Sequence, residues 1–509
     1  MESLIALYVI LPLGAAFLIP LIGRFVQFFA KTISALVFAG LTALSVVYIS
    51  VFHTETIRYA VGGWQAANGI PIAIYLVLDG FSGIILVMIN LVTFFAVVYS
   101  FSYLKKYTAK NNFYALLCLM AAGMNGVVLT GDLFNLYVFM EIAAIASYAL
   151  VAFGVEKEEL EASFKYQVLG GMASLFILLG IGLVYWTTST LNMADASRIL
   201  KDYAGYRIVI FIQLLFIAGF GMKSALVPFH AWLPDAHSSA PSPISSMLSG
   251  VLIKAIGIYV LIRLFFTMFS ISYEIALTIT VLGVLSMLTG GVLAIGQWDY
   301  KRLLAYSSIS QVGYIIIGLG IGMLVMANNG SREIAALAIF GGLFHLVNHA
   351  VAKGLLFMTA GSVEYATGIR DLKKLGGLAG KMPITSATSF SGSMAISGLP
   401  PFSGFFSKLV IIIAAIKAHY FVIAFLAAGM SIVTLAYFLR LQKGLFAAKP
   451  MAGIEKIKEV PFAMTFSMVC LAIGCIALSA LIFPGVRDAI ITPAVKVLME
   501  VSNQPVTIK

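Results

Sequence analysis

Long apolar segments separated by short polar loops follow one another along almost the whole chain. A helix needs about 20 predominantly apolar residues to cross a bilayer. Fourteen segments of this kind predict membrane helices near residues 4–23, 32–52, 76–102, 113–130, 132–152, 165–188, 206–230, 243–266, 273–296, 303–326, 334–361, 384–415, 420–446 and 461–485. The hydropathy pattern therefore indicates an all-α integral membrane protein with about fourteen transmembrane helices.

Two of these segments contain proline in the middle of the predicted span. Pro228 falls in the seventh helix, and Pro400 and Pro401 fall in the twelfth. Proline removes a backbone donor and clashes with the preceding turn, so both helices are predicted to be broken. In a bilayer the freed carbonyls must be satisfied by protein or water, which predicts a hydrated interior.

The loops are too short to hold a separate folded unit, so we expect residues 1–509 to form one membrane domain. The two broken helices lie five helices apart, which is the spacing expected of two five-helix repeats around a conduction site. This division gives N-terminal helices in 1–110, repeats in 111–270 and 271–447, and a last helix with a tail in 448–509.

The composition excludes a soluble fold. Of the 509 residues, 61% are hydrophobic and 10% are charged, whereas a soluble domain carries about a quarter charged residues. The three cysteines lie inside apolar segments without the spacing of a disulfide, zinc or iron–sulfur framework, so we expect no metal and no bound cofactor. The net charge of +11 could suggest nucleic acid, but in a membrane chain the position of each basic residue matters more. We expect no nucleic-acid partner.

The basic residues of the predicted loops are divided unevenly between the two sides of the membrane. One set of loops carries 18 of them and the other set carries 7, with three more in a C-terminal tail that ends at Lys509. Cytoplasmic loops collect lysine and arginine. The bias therefore predicts an even number of helices, with both termini on the non-cytoplasmic side.

Five charged residues fall inside apolar helices: Glu141, Lys223, Lys254, Lys353 and Lys408. A charge within the membrane is unfavourable unless it is paired or neutralised, and such residues commonly mark ion pathways. Glu141 and Lys223 lie at similar depths, and we expect them to face each other across the bundle. A pair that can separate acts as a switch, because the released lysine gives up its proton more readily. The alternative is a static ion pair that holds two helices together.

The eleventh predicted helix carries a polar stripe. His345, His349 and Lys353 recur every four positions and so share one helical face. Histidine exchanges protons near neutral pH, and single waters could bridge successive steps of such a stripe. The alternative is a zinc-type histidine pair at the same spacing, but no glutamate lies between the histidines and no third ligand is evident.

Lys254 in the eighth helix and Lys408 in the twelfth complete the set of intramembrane cations. Either side chain could instead snorkel to the interface if the predicted helix ends are wrong by a turn. His230, Asp235 and His237 lie in the short loop between the seventh and eighth helices, on the predicted cytoplasmic side, where they could form a proton entrance. A plain capping loop is the alternative.

Three other charged residues, Asp79, Asp132 and Lys165, lie near predicted helix ends. Side chains in such places commonly cap a helix or face solvent. Capping or solvation is therefore the alternative to any functional role for these three residues.

Four motifs contain most of these residues. They are Phe-Met-Glu141, Gly-Met-Lys223-Ser-Ala-Leu-Val-Pro-Phe-His-Ala-Trp-Leu-Pro-Asp-Ala-His237, Lys301-Arg-Leu-Leu-Ala-Tyr-Ser-Ser-Ile-Ser-Gln-Val-Gly-Tyr314 and Gly398-Leu-Pro-Pro-Phe-Ser-Gly-Phe-Phe-Ser-Lys408. Together they resemble the antiporter-like subunits of respiratory complex I, the Mrp sodium/proton antiporters and the membrane-bound hydrogenases. Within that family the chain is most similar to the D-type subunit of the Mrp antiporters, the H-type subunit of the hydrogenase group or the N-type subunit of complex I. Some relatives carry glutamate where this chain has Lys408.

The resemblance implies two inverted five-helix repeats, a hydrated axis along the membrane midplane and work inside a larger complex. It also implies roles for individual residues. Glu141 and Lys223 are the expected ion pair, Lys254 is the bridging lysine, His345 or His349 is the central relay and Lys408 is the terminal lysine.

We therefore expect a proton-translocating, or sodium/proton-translocating, subunit of a multisubunit complex in the prokaryotic cell membrane. Protons would pass along Lys254, His345, His349 and Lys353 to Lys408, gated by Glu141 and Lys223. Any electron transfer would belong to partner subunits, because the chain has no cysteine cluster and no flavin or nucleotide motif. The rival interpretations are a secondary transporter for an organic solute, which would also explain broken helices and repeats, and a structural scaffold whose charges merely hold helices together.

Overall fold

A computed structural model describes residues 2–26, 28–51, 55–64, 73–450 and 452–500 of the chain. Twelve helices within these ranges are long and apolar enough to cross a membrane. The prediction of a helical integral membrane fold is therefore confirmed. Residue 52, the end of the predicted second helix, and Lys509 lie outside the described residues.

The helices in chain order are α1 (Leu7–Ile22), α2 (Phe29–Val51), α3 (Gly80–Tyr103), α4 (Lys110–Leu129), α5 (Leu133–Val151), α6 (Lys157–Thr188), α7 (Met193–Asp202), α8 (Arg207–Lys223), α9 (Trp232–Ser239), α10 (Ser242–Met247), α11 (Val260–Thr267), α12 (Tyr273–Ile295), α13 (Tyr300–Ala327), α14 (Arg332–Thr367), α15 (Pro383–Ser397), α16 (Ser403–Lys417), α17 (Phe421–Gln442), α18 (Phe462–Ala477), α19 (Pro484–Ile490) and α20 (Thr492–Glu500). Two strands, β1 (Ile57–Ala60) and β2 (Tyr75–Leu78), pair antiparallel.

Both proline-containing segments are interrupted. Helix α8 ends at Lys223, before Pro228, and α9 begins at Trp232, just beyond the end of the predicted seventh helix. The pair α15 and α16 stands in place of the predicted twelfth helix, with Pro400 and Pro401 between them. The indole Nε1 of Trp232 donates a hydrogen bond to the Met222 carbonyl at 3.0 Å, so a side chain satisfies one carbonyl near the first break. The count of fourteen crossings and the inverted repeats stay predictions.

The sheet is a departure from the purely helical prediction. Strand β2 occupies the residues where the third helix was predicted to begin, and α3 starts at Gly80 instead. The carboxylate of Asp79 accepts hydrogen bonds from the backbone N–H groups of Phe81 and Ser82, and so caps α3. The short helix α7 lies in a predicted loop, and α19 and α20 follow the last predicted span.

Helix α14 forms the centre of the bundle. Every residue from Ala338 to Val363 is buried, and the helix packs against α13, α15, α16 and α18. Neighbouring helices approach closely at glycines: a Cβ atom added to Gly313 of α13 would lie 2.4 Å from the backbone nitrogen of Met287 on α12. The polar stripe of α14 is therefore enclosed by protein.

The predicted eighth helix runs from Ser242 to Thr267 and is π-helical in its middle, over Leu248–Leu252 and Lys254–Tyr259. Such π turns are rare and occur frequently at functional sites. The seven basic residues assigned to the second set of loops included Arg263, and this assignment is wrong. Arg263 lies within α11 and pairs with Asp79, with 2.7 Å between Arg263 Nη1 and Asp79 Oδ2.

Candidate functional site

Glu141 on α5 and Lys223 at the end of α8 form an ion pair, with 3.4 Å between Lys223 Nζ and Glu141 Oε1. The hydroxyl of Ser174 on α6 donates a hydrogen bond to the same carboxylate oxygen. Lys223 is the last residue of α8, where the partial negative charge of a helix C-terminus favours a cation. The structure therefore brings together the two charges that were expected to face each other.

The two partners are enclosed to different degrees. The side chain of Lys223 is 2% exposed, whereas that of Glu141 is 25% exposed. Large apolar side chains beside Glu141 on α5 and α6 are more exposed still, with Ile145 at 61% and Leu175 at 67%. The carboxylate thus lies at the edge of an apolar outer face of the bundle.

Lys254 lies in the π-helical middle of the eighth helix and is 1% exposed. Its Nζ donates a hydrogen bond to the backbone carbonyl of Ser249, and the Ser249 hydroxyl is 2.8 Å from the hydroxyl of Ser308 on α13. The snorkelling alternative is therefore wrong for Lys254, because its ammonium group is held inside the protein.

The two histidines of α14 lie side by side, with 6.5 Å between ring centroids. His345 has partners on both ring nitrogens: Nδ1 is 3.0 Å from Ser407 Oγ, and Nε2 is 3.1 Å from Gln311 Oε1. A hydroxyl can donate or accept, and an amide can present either end, so this network can hold either tautomer of His345. His349 is fully buried, and neither of its ring nitrogens has a hydrogen-bond partner in the described part of the chain.

Lys353 and Lys408 are also enclosed. Lys353 donates a hydrogen bond to the Leu304 carbonyl at 2.9 Å and lies 5.7 Å from the ring centroid of Phe438. Lys408, on α16 just after the second break, is 2% exposed, so the snorkelling alternative is wrong here as well. Its ammonium group has no hydrogen-bond partner among the described residues and lies 4.7 Å from the ring centroid of Tyr314.

The predicted loop between the seventh and eighth helices contains helix α9. Asp235 on this helix forms ion pairs with Lys165 at 3.1 Å and with Arg302 at 2.8 Å. His230 precedes α9 and is partly buried, and its Nδ1 has no hydrogen-bond partner within the described ranges. The expectation of an open loop is therefore corrected: Asp235 joins three helices, and only His230 and Asp235 reach the surface.

His237 is the buried member of this group. Its ring is fully enclosed, 5.5 Å from Phe357 and 6.3 Å from Trp232 between ring centroids, and neither nitrogen has a described hydrogen-bond partner. His237 is thus enclosed by protein and does not belong to the surface.

One further buried ion pair was missed by the sequence analysis, which placed Lys301 in a loop. Lys301 is 2% exposed and lies 3.0 Å from Glu364 Oε2 near the end of α14. It also donates to the Ala240 carbonyl at 3.1 Å, beside α9. The predicted eleventh helix stopped at residue 361, so its length hid Glu364 from the list of helix carboxylates.

Among the described residues, no group of three or more histidine, cysteine, aspartate or glutamate side chains is placed to hold a metal ion. Both nitrogens of His345 are engaged by Ser407 and Gln311. The arrangement is therefore one of hydrogen-bonding groups that can give and take protons.

Two family models match the chain. The model described as NADH:quinone oxidoreductase/Mrp antiporter, TM, matches residues 130–434, and the one described as NADH-ubiquinone oxidoreductase (complex I), chain 5 N-terminus, matches residues 64–114. The first match includes every candidate residue named above, from Glu141 to Lys408.

Curated relatives and solved structures agree with the two family models. The N-type subunit of the NADH-quinone oxidoreductase of Desulforudis audaxviator is 36% identical over 441 residues, which cover 83% of this chain and 84% of that protein. The D-type subunit of the Na(+)/H(+) antiporter of Alkalihalophilus pseudofirmus is 34% identical over 84% of each chain. Chains of the Mrp complex from Dietzia sp. and of the membrane-bound sulfane sulfur reductase, an archaeal respiratory membrane complex, both superpose with a TM-score of 0.87 over 98% of each chain, at 26% and 31% identity.

These matches confirm the resemblance seen in the sequence motifs. They span both broken helices and extend over most of the chain. The chain therefore belongs to the family of membrane subunits shared by the NADH:quinone oxidoreductases and the Mrp antiporters.

Proposed function

We propose that this chain translocates protons across a prokaryotic cell membrane, as the antiporter-like subunit of a multisubunit complex. The observation that carries the proposal is the set of buried amines and imidazoles that lies between the two broken helices. Buried ionisable groups in membrane proteins mark ion pathways, because they are too unfavourable to keep for packing alone.

The proposed pathway passes through Lys254, His349 and His345 to Lys408, with Lys353 beside it. His349 lies beside His345 on α14, with 6.5 Å between the ring centroids, and is fully buried. Its two ring nitrogens are free of protein partners in the described part of the chain, so either one can exchange a proton with a bridging water. His345 then passes the proton on by changing tautomer between Gln311 and Ser407.

The Glu141 and Lys223 pair acts as the gate in this proposal. While the pair is closed, the carboxylate stabilises the charge of Lys223. When it opens, the ammonium group loses that stabilisation and gives up its proton to the pathway. Ser174 holds the carboxylate in place and so favours the closed pair.

Proton entry is proposed at α9. His230 and Asp235 lie near the surface, and His237 lies inside and is fully buried. The charge bias of the loops supports a cytoplasmic position for this end, with both termini on the opposite side.

The exposed edge of Glu141 supports a partner subunit. A carboxylate that faces hydrocarbon is strongly unfavourable, yet this one lies among exposed apolar side chains of α5 and α6. A neighbouring membrane subunit that covers this face would remove the conflict. The redox or antiport reaction that drives the cycle is assigned to such partners.

We propose protons, and not sodium, as the ion carried along this axis. Its groups are mainly amines and imidazoles, which exchange protons, whereas a hard cation takes oxygen ligands. Sodium movement by the assembled complex would then involve other subunits.

The test is ion transport by the intact complex in sealed vesicles, at matched assembly. We expect Lys223→Met and Lys408→Met each to lower proton transport by about 100-fold, because each removes an essential proton carrier. Lys417→Met, at the exposed end of α16, is the matched control and should transport normally. Normal transport by both buried-lysine variants would eliminate the pathway. Poor assembly of both would favour the scaffold, and saturable uptake of an organic solute would favour a secondary transporter.

A further inference from the structure

A cavity of about 390 Å³ opens at one end of the bundle, apart from the proton pathway. It lies where α7, α11, α13 and α20 end and where α14 begins, so the chain reverses direction around it. Its lining combines cations, small polar groups and apolar rings, among them Lys201, Arg332, Ser270, Asn329, Phe266 and Phe269.

The charge of the cavity is not balanced. Lys201 and Arg332 are both exposed at its lining, and its described lining residues include no aspartate or glutamate. Neither cation forms an ion pair with any residue that the structure describes, in contrast to the nearby Arg198, which pairs with Asp195. Two cations that line one concave surface raise the local concentration of anions. The guanidinium fork of Arg332 also matches the geometry of phosphate oxygens.

The same end of the bundle has the features of a membrane interface. Trp186, Tyr206 and Tyr273 lie at the ends of the neighbouring helices and are 75%, 60% and 42% exposed. Exposed tryptophan and tyrosine of this kind gather at the level of lipid headgroups. Helix α7 buries Met193, Ala196 and Leu200 and turns its charged residues outward, as a helix lying along the membrane surface does.

We propose that this cavity binds the headgroup of an anionic phospholipid, with its phosphate between Lys201 and Arg332. The half-buried apolar side chains of Ile271 and Met326 receive the glycerol and the first methylene groups. Free phosphate shares the same chemistry toward the two cations, but it leaves these apolar walls uncovered. The amphiphilic lining therefore favours the lipid.

The experiment uses the intact complex in phosphatidylcholine vesicles that contain a photoactivatable phosphatidylglycerol, with labelled peptides identified by mass spectrometry. We expect the lipid to label residues 266–271 and 326–335. Replacing both cations, as Lys201→Gln with Arg332→Gln, should reduce labelling by about fivefold for each cation lost, or about 25-fold for both. Arg207→Gln with Lys417→Gln is the matched control, because both cations are exposed at the same end and neither lines the cavity.

Three results would overturn the proposal. Equal loss of labelling in the control would show that general surface charge attracts the lipid. Competition by millimolar inorganic phosphate, as strong as competition by phosphatidylglycerol vesicles, would assign the site to free phosphate. Labelling that appears only after partner subunits are removed would show that protein covers the cavity. None of these outcomes depends on proton transport, so the result stands apart from the proposed pathway.

Discussion

Two cations in different regions of this protein, Arg263 and Lys408, have very different surroundings. Arg263 donates hydrogen bonds to both oxygens of Asp79, at 2.7 and 2.8 Å, and its guanidinium carbon lies 5.2 Å from the ring centroids of Phe81 and Tyr259. Lys408 is more deeply buried, at 2% exposed against 14% for the side chain of Arg263, but its ammonium group has no hydrogen-bond partner among the described residues.

The difference separates structural charge from functional charge. A bidentate pair regains in hydrogen bonds and Coulomb attraction much of what burial removes, so it can fix one helix against another. An unpaired ammonium group gains nothing comparable and weakens the fold. The proposed role in proton transfer would explain why such a group is kept. The comparison predicts opposite responses to mutation in the two regions.

The largest effect is expected on proton transport, when a buried lysine that has no carboxylate partner is replaced. Lys254→Met should lower proton transport by about 100-fold, because the pathway loses one carrier between the gate and His349. The thermal unfolding temperature should be unchanged or higher, since an apolar side chain suits the site better than an amine with one carbonyl partner. Proton uptake and thermal unfolding of the same purified complex check both parts.

The opposite pattern, a loss of stability with transport retained, is expected for the ion pair of Asp79 and Arg263. Asp79→Asn leaves Arg263 without its carboxylate and should destabilise the protein by about 3–5 kcal/mol, while transport per assembled complex stays near normal. Denaturant unfolding in detergent measures the loss. The double variant with Arg263→Gln serves as the control and should recover part of the stability, because no uncompensated charge remains.

The same pair predicts a pH dependence. Burial alone raises the pKa of Asp79, but the charge and hydrogen bonds of Arg263 outweigh it, so the pKa lies below its ordinary value of 3.8. The pair therefore contributes its full stability above that ordinary value and loses it as the pH falls through the lowered folded-state pKa. In an acid titration of unfolding, wild type should lose stability in this range, and Asp79→Asn should lack that component. An identical acid profile for both proteins would remove Asp79 from this role.

The smallest effect is expected at Ser174, which donates one hydrogen bond to the Glu141 carboxylate. A hydrogen bond to a charged group is worth about 1.5 kcal/mol, so Ser174→Ala should favour the open gate by about tenfold. We expect a shifted pH profile of transport with little change in stability. Ser163→Ala on the same helix, which loses a bond to the Tyr148 carbonyl, is the control and should leave the profile unchanged.

The sequence predicted the helical membrane fold and the contact between Glu141 and Lys223, for a simple physical reason. A long apolar segment indicates a membrane helix. A charged side chain in the middle of such a helix is unfavourable unless it meets a partner, as Glu141 and Lys223 illustrate. Charges near helix ends gave no such signal. Lys301 and Arg263 looked like loop residues, because only packing decides whether a side chain at that depth faces solvent or a carboxylate.

Other features depend on contacts between segments that are distant in the chain. The pairing of β1 with β2 joins residues on either side of residues 61–74, and local hydropathy does not reveal it. The burial of His237 follows from Trp232 and from Phe357 on α14, more than 100 positions further along. The roles of the pathway residues stay predictions that the experiments above test.

The most direct test of the central claim records proton uptake and thermal unfolding on the same vesicle preparations of Lys408→Met and Asp79→Asn. We expect opposite effects in the two variants. Lys408→Met should keep its stability and lose proton transport, whereas Asp79→Asn should lose stability and keep proton transport per folded complex. Parallel loss of both properties in both variants would contradict the central claim, because buried charge would then serve a single structural purpose in the two regions.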